Sequence, residues 1–165
     1  MKKKAEVAFS LGSHLVEFRI DALDSVNVGE ITENLSEYSS RCILTVRSRQ
    51  EGGRYYGQDS ERVRLIGDLS KMKPAFSDIE LVTAEEFPGE MREIARNCGR
   101  VIVSWHDFAE TPAETRLLEV YKRARSVGDI AKIVTNARRL EDNLRVLSLY
   151  RRSRHRGDLI AFCMG

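Results

Sequence analysis

The chain has 165 residues, 42% of them hydrophobic and 32% charged, and its 27 Lys and Arg against 25 Asp and Glu leave a formal charge of +2. That length suits one domain and excludes a two-domain enzyme with a separate cofactor module. The near balance of charge excludes a nucleic-acid or membrane-surface protein that works through bulk charge.

Six short apolar runs read as strands: 14–20 (HLVEFRI), 42–46 (CILTV), 78–82 (DIELV), 100–105 (RVIVSW), 130–134 (IAKIV) and 158–163 (DLIAFC). Their starts lie about 22 to 36 residues apart, room each time for one helix and two short loops. Between them, 62–69, 115–124 and 140–151 carry apolar residues at three- and four-residue steps, the pattern of helices with one buried stripe. Thr111-Pro112-Ala113-Glu114 supplies a candidate N-cap, a proline for the first helical position and an acidic first turn; Gly99 and Gly128 stand where helices should stop. Strands alternating with helices imply α/β architecture with a parallel sheet, either an open doubly wound sheet or a (β/α)8 barrel.

No glycine-rich phosphate loop follows any strand, which disfavours a nucleotide-binding open sheet. Cys42, Cys98 and Cys163 form no CxxC pair and are odd in number, so each reads as a small buried hydrophobe and no metal site is expected. No apolar run approaches the roughly 18 residues of a membrane span, and the opening MKKKAEVAFSLGSHLVE has a basic start without an apolar signal core, so the chain reads as cytoplasmic and away from membranes. The basic run 151–156 (RRSRHR) has no interleaved aromatic platform and reads as a solvated helix end, with no nucleic-acid partner.

Polar residues recur inside or just after the apolar strands: Glu17, Arg19, Arg47, Glu80, His106 and Lys132. Charges in buried strands are costly unless they converge on partners or a ligand, and a barrel's inner face makes them converge. Lys132 shares one strand face with Ile130 and Val134; desolvation there favours the neutral amine and suits it to condense with a ketone or aldehyde. The competing reading is a core ion pair of Lys132 with Glu80 or Glu17. His106 ends its strand and suits a general base and acid, or is a satisfied loop histidine; His14 and His155 are poorer candidates. Arg19 and Arg47 end successive strands and suit oriented binding of an anion or hydroxyls, or pair with Glu17 or Glu80. Glu51, followed by Gly52 and Gly53, either orients a catalytic histidine or is an exposed loop carboxylate.

Taken together, these segments resemble type I 3-dehydroquinate dehydratase, the lysine-dependent class of the shikimate pathway. LVEFRID (15–21) is similar to the family's second-strand motif, ILTVRSRQEGG (43–53) to the third strand and its loop, and DIEL (78–81) to the fourth. SWHDF (104–108), soon followed by TP, is similar to the fifth, DIAKIVT (129–135) to the sixth and AFCMG (161–165) to the seventh. The resemblance implies a TIM barrel and dehydration of 3-dehydroquinate to 3-dehydroshikimate, a step towards chorismate and the aromatic amino acids. It implies a Schiff base on Lys132, with His106 moving the protons and Glu51 orienting His106. Glu17, Arg19 and Arg47 would grip the substrate. It implies no metal or organic cofactor, and a homodimer.

Counterparts of the family's first strand, and of its eighth strand with the Ser-Arg and lid loop beyond, are not found, so about six of eight βα units are expected over 1–165, a single partial TIM-barrel domain. Three explanations fit this: a piece of a longer chain, a gap covered by another segment or subunit, or a non-catalytic barrel remnant acting through its surface. Another Schiff-base barrel, such as an aldolase, would also keep Lys132.

Overall fold

Six parallel strands pair strictly in chain order in the computed structural model, which describes residues 1–153 and 157–165. They are β1 (Val16–Arg19), β2 (Cys42–Thr45), β3 (Phe76–Glu80), β4 (Arg100–His106), β5 (Ile130–Asn136) and β6 (Leu159–Met164). Helix α1 (Lys2–Ser10) precedes β1, and every connection carries helix: α2 (Val28–Leu35), α3 (Asp59–Ser70), α4 (Leu81–Glu86) with α5 (Pro88–Asn97), α6 (Glu114–Val127) and α7 (Leu140–Ser148). The sheet is a curled half-barrel with β1 and β6 at its edges, as expected of a TIM-type chain with six βα units.

Strand alternation separates two faces. Phe18, Leu44, Ile79, Val103 and Ile133 point towards the helices and join the hydrophobic core, where each fully buried Leu or Ile contributes on the order of 2 kcal/mol. Their neighbours Glu17, Thr45, Asp78, Ser104 and Lys132 fall on the opposite, inner face, where hydrogen bonds join them across strands. Parallel packing therefore places one polar surface on a sheet whose other side is dry.

Several boundaries differ from those read in the sequence. The third strand is Phe76–Glu80, not 78–82: Leu81 and Val82 open α4, whose Thr-Ala-Glu-Glu continuation favours helix, and Val82 is exposed. Pro88 then starts α5 at its first position, because a proline lacks the N–H that would continue α4. Thr111 does not cap α6, which begins at Glu114; its hydroxyl instead bonds Thr135 Oγ1 at 2.8 Å and the Asn136 carbonyl at 3.0 Å, tying the β4–α6 loop to the end of β5. Gly99 and Gly128 do follow the ends of α5 and α6.

Cys42 and Cys98 are buried as expected, and burial pushes the Cys42 thiol up to about 12, whereas Cys163 is only half-buried. Among the described residues no helix is long and apolar enough to cross a membrane. Arg154, His155 and Arg156, the greater part of the basic run, lie outside the described residues.

Candidate active site

At the C-terminal ends of β2 to β5 the inner face gathers the charges. Asp78, with no exposed side-chain surface, stands at the centre. Its Oδ2 accepts from Lys132 Nζ at 2.8 Å; its Oδ1 accepts from Arg47 Nη2 at 2.8 Å and from Ser104 Oγ at 2.6 Å. Arg47 Nη1 in turn donates to Ser104 Oγ at 2.5 Å. Burial alone would raise the Asp78 carboxyl, but the Arg47 and Lys132 cations outweigh it and hold the group below the usual carboxylate range.

Register places the second pair. Ser104 is opposite Lys132 and His106 opposite Val134, so His106 stands two residues further along the same face than the lysine's level. His106 Nδ1 lies 2.8 Å from Glu51 Oε2, and the two side chains are 11% and 13% exposed. A carboxylate at Nδ1 selects the tautomer whose Nε2 carries a free lone pair, the atom a general base needs. Burial pushes the Glu51 carboxyl above its ordinary value; the nearby Glu80 adds to this, and the His106 hydrogen bond opposes it. The ring of Phe108 stacks beside His106 at 5.9 Å between centroids.

The loop after β2 brings Glu51 inward through its own hydrogen bonds. Glu51 N donates to Ser48 Oγ at 3.3 Å, and Gly53 N closes the turn on the Ser48 carbonyl at 2.7 Å. Gly52 has a φ of +78°, which suits a residue without a side chain. Glu51 is therefore not an exposed loop carboxylate.

Of the expected ion pairs, Arg47 with Glu80 is present, while Lys132 and Arg19 take other partners. Lys132 pairs with Asp78 rather than Glu80 or Glu17. Arg47, 4% exposed, has its short contact with Asp78 and lies 3.5 Å from Glu80 and 3.7 Å from Glu51. Arg19 instead forks onto Asp21 at 2.9 and 2.7 Å, and Glu17 accepts from Thr45 Oγ1 at 2.8 Å. Glu17 and Arg19 thus belong to the edge of the inner face, while Lys132, Arg47, Glu51 and His106 converge at its middle. Asp78, Ser104 and Phe108 also belong to this centre, although the sequence pattern does not single them out. For Asp78 a signal exists, since DIE places two acids two apart on one strand face. Among the described residues no group of three or more His, Cys, Asp or Glu is arranged to hold a metal ion.

A family profile described as type I 3-dehydroquinase matches residues 1–165. The chain belongs to the type I 3-dehydroquinase family. Among its relatives, a 3-dehydroquinate dehydratase of Methanocaldococcus jannaschii is 38% identical over 92% of this chain and 67% of its own length; that of Pyrococcus abyssi is 37% identical over 100% and 74%. The chain therefore spans about two thirds to three quarters of the length of these 3-dehydroquinase relatives. Crystal structures of 3-dehydroquinate dehydratase superpose on the fold. That from Geobacillus kaustophilus has a TM-score of 0.88 at 27% identity, covering 99% of this chain and 68% of that one. That from Aquifex aeolicus has a TM-score of 0.81 at 30% identity, covering 99% and 73%.

Proposed function

We propose that this member of the 3-dehydroquinase family is a hydro-lyase that converts 3-dehydroquinate to 3-dehydroshikimate through a Schiff base on Lys132. The observation that carries the reading is the placement on one sheet face of a largely desolvated lysine and a histidine whose Nδ1 is engaged by a carboxylate. The first group can bind a ketone covalently, and the second can move the protons that elimination requires.

The Lys132 ammonium gives up a proton to water, the neutral amine adds to the substrate ketone, and the carbinolamine loses water to give an iminium whose positive charge takes the place of the ammonium beside Asp78. That cation acidifies the adjacent C–H. His106 Nε2 accepts the proton, the electron pair passes into an enamine, and the departing hydroxyl leaves as water with the proton that His106 returns. Hydrolysis of the conjugated iminium then frees Lys132 and releases the enone.

In this scheme Glu51 fixes the His106 tautomer and stabilises its charged form. Asp78 gives the lysine a fixed direction and neutralises the cations around it. Glu17, Arg19 and Arg47 hold the substrate's polar groups, Arg47 from a position where Asp78 and Ser104 already fix its guanidinium. The lysine is the electron sink, so the proposal includes no metal or organic cofactor.

Turnover of 3-dehydroquinate, followed by the ultraviolet absorbance of the conjugated enone, tests the reading. The purified chain is expected to generate the absorbance and a Lys132→Ala variant to lose it. No absorbance from the unaltered chain would overturn the proposal.

A further inference from the structure

Among the described residues, Arg62 is the largest charged side chain wholly buried outside the candidate site, with 1% of its surface exposed. A guanidinium carries five donors, and leaving them unpaired in the interior is costly. Its partners come from α3 itself, the loop after β2, β3 and α4. Nε and Nη2 donate to Asp59 Oδ1 at 3.1 and 3.0 Å, Nη1 to the Val46 carbonyl at 3.0 Å, and Nη2 to Thr83 Oγ1 at 2.6 Å. Nη1 also pairs with Glu80 Oε2.

Glu80 connects this buried cluster to the catalytic face. One of its oxygens is taken by Arg62 and reached by Thr83 Oγ1 at 3.4 Å. The other accepts the Ser48 N–H at 2.8 Å and lies 3.5 Å from Arg47 Nη1. Ser48 is the residue whose hydroxyl receives Glu51 N, and Glu51 holds His106. An unbroken chain of contacts thus runs from α3 through Glu80 and the β2–α3 loop to the histidine.

We propose that Arg62 is a positioning residue for the Glu51–His106 pair, acting through Glu80 and the Ser48 backbone without touching substrate. The kinetic part of this proposal rests on the dehydratase reading; the structural part does not. A buried ion pair adds little net stability compared with a well-packed apolar pair; here the pair holds Glu80 between the Arg62 guanidinium and the Ser48 N–H. Without Arg62, Glu80 keeps Arg47 as its cation. Arg47 then divides between Glu80 and Asp78, and the Ser48 anchor loses its fixed direction. A displacement of the histidine by about 1 Å is enough to cost roughly 100-fold in rate.

The test compares Arg62→Met with Val63→Ala, a cavity-forming change at a fully buried neighbour on α3 that leaves the network intact. Two readouts are taken: the downfield proton resonance of the His106 Nδ1–H held by Glu51, assigned by its loss in His106→Gln, and the separate effects on kcat and KM. Arg62→Met is expected to broaden or abolish the resonance and to lower kcat by about tenfold or more with KM within about threefold, as loss of orientation requires. Val63→Ala is expected to lower stability while keeping both. Should Arg62→Met fail to fold, Thr83→Val, which removes the 2.6 Å contact, decides: a sharp resonance and kcat equal to the unaltered chain overturn the proposal. The same result from a folded Arg62→Met overturns it. If the unaltered chain has no turnover, the dehydratase reading fails and the resonance alone decides the role of Arg62.

Discussion

Lys132 Nζ and Asp78 Oδ2 stand 2.8 Å apart across the inner face, with the carboxylate wholly buried and the lysine side chain 17% exposed. Asp78 is shared with Arg47 and Ser104, so the lysine is held on a preset network rather than as an isolated pair. Asp78→Asn leaves two cations beside a neutral group. It is expected to cost about 3 kcal/mol or more, the usual size when one partner of a buried pair is removed, read as a lower midpoint in urea denaturation. A midpoint within error of the unaltered chain would show that the network does not support the fold.

The same carboxylate sets an acid dependence. Asp78 is held below the unfolded chain's ordinary value near 4, against burial, by Arg47 and Lys132. Its stabilisation is therefore complete above about pH 4 and is lost as pH falls through the lower folded value. Asp21 acts in the same direction: burial opposes, but Arg19 and the N–H groups of Arg47 and Arg54 hold it down. Urea midpoints measured from neutral pH downward should fall steeply below about pH 4, and less steeply in Asp78→Asn, whose baseline is already lower.

Glu51 has the opposite sign. Burial and Glu80 raise its folded value, so its contribution to stability is greatest when protonated and is lost as pH rises through that value. Glu51→Gln should therefore hold or raise stability at neutral pH while lowering kcat by roughly 10 to 100-fold, since the histidine loses its charged partner. The acid limb of kcat that Glu51 contributes, placed above the ordinary carboxylate value near 4.3, should vanish in the variant. Superimposable pH profiles would exclude Glu51 from the proton path.

Close approach, of backbone at Gly53 and of a side chain at Gly52, explains the glycine pair. A Cβ on Gly53 would lie 2.2 Å from the Arg47 carbonyl oxygen, and one on Gly52 2.6 Å from Phe108 Cζ. Gly53→Ala must move the loop that carries Glu51 and is expected to cost more than about 1 kcal/mol and at least about tenfold in kcat. Gly67→Ala is the contrast: nothing lies within 4 Å of a Cβ there, in the middle of α3, so a gain of about 0.5 to 1 kcal/mol is expected. Thermal denaturation and steady-state kinetics on both variants check the pair.

Lys132 and His106 are legible in the sequence because one interrupts and the other ends an otherwise apolar strand, where a polar group demands a reason. The βα order is legible for the same cause, since the apolar runs recur at helix-sized intervals. Asp78 is not. Reading β3 two residues late puts it at a strand start, where an acid needs no partner, while in the strand it faces Lys132 two strands away. Arg62 looks like the first polar residue of an amphipathic helix, because its partners Val46, Glu80 and Thr83 are distant in sequence and only tertiary packing brings them together. Thr111 departs from its expected capping role for a related reason: its hydroxyl is engaged by Thr135 Oγ1 and the Asn136 carbonyl at the end of β5, and α6 starts only at Glu114.

Borohydride reduction in the presence of 3-dehydroquinate, with peptide mass mapping of the product, bears on Lys132 as the covalent centre. The reduced adduct should be found on Lys132 alone, and Lys132→Ala should carry none. Label retained by Lys132→Ala, or placed on another lysine of the unaltered chain, would contradict a Schiff base at Lys132.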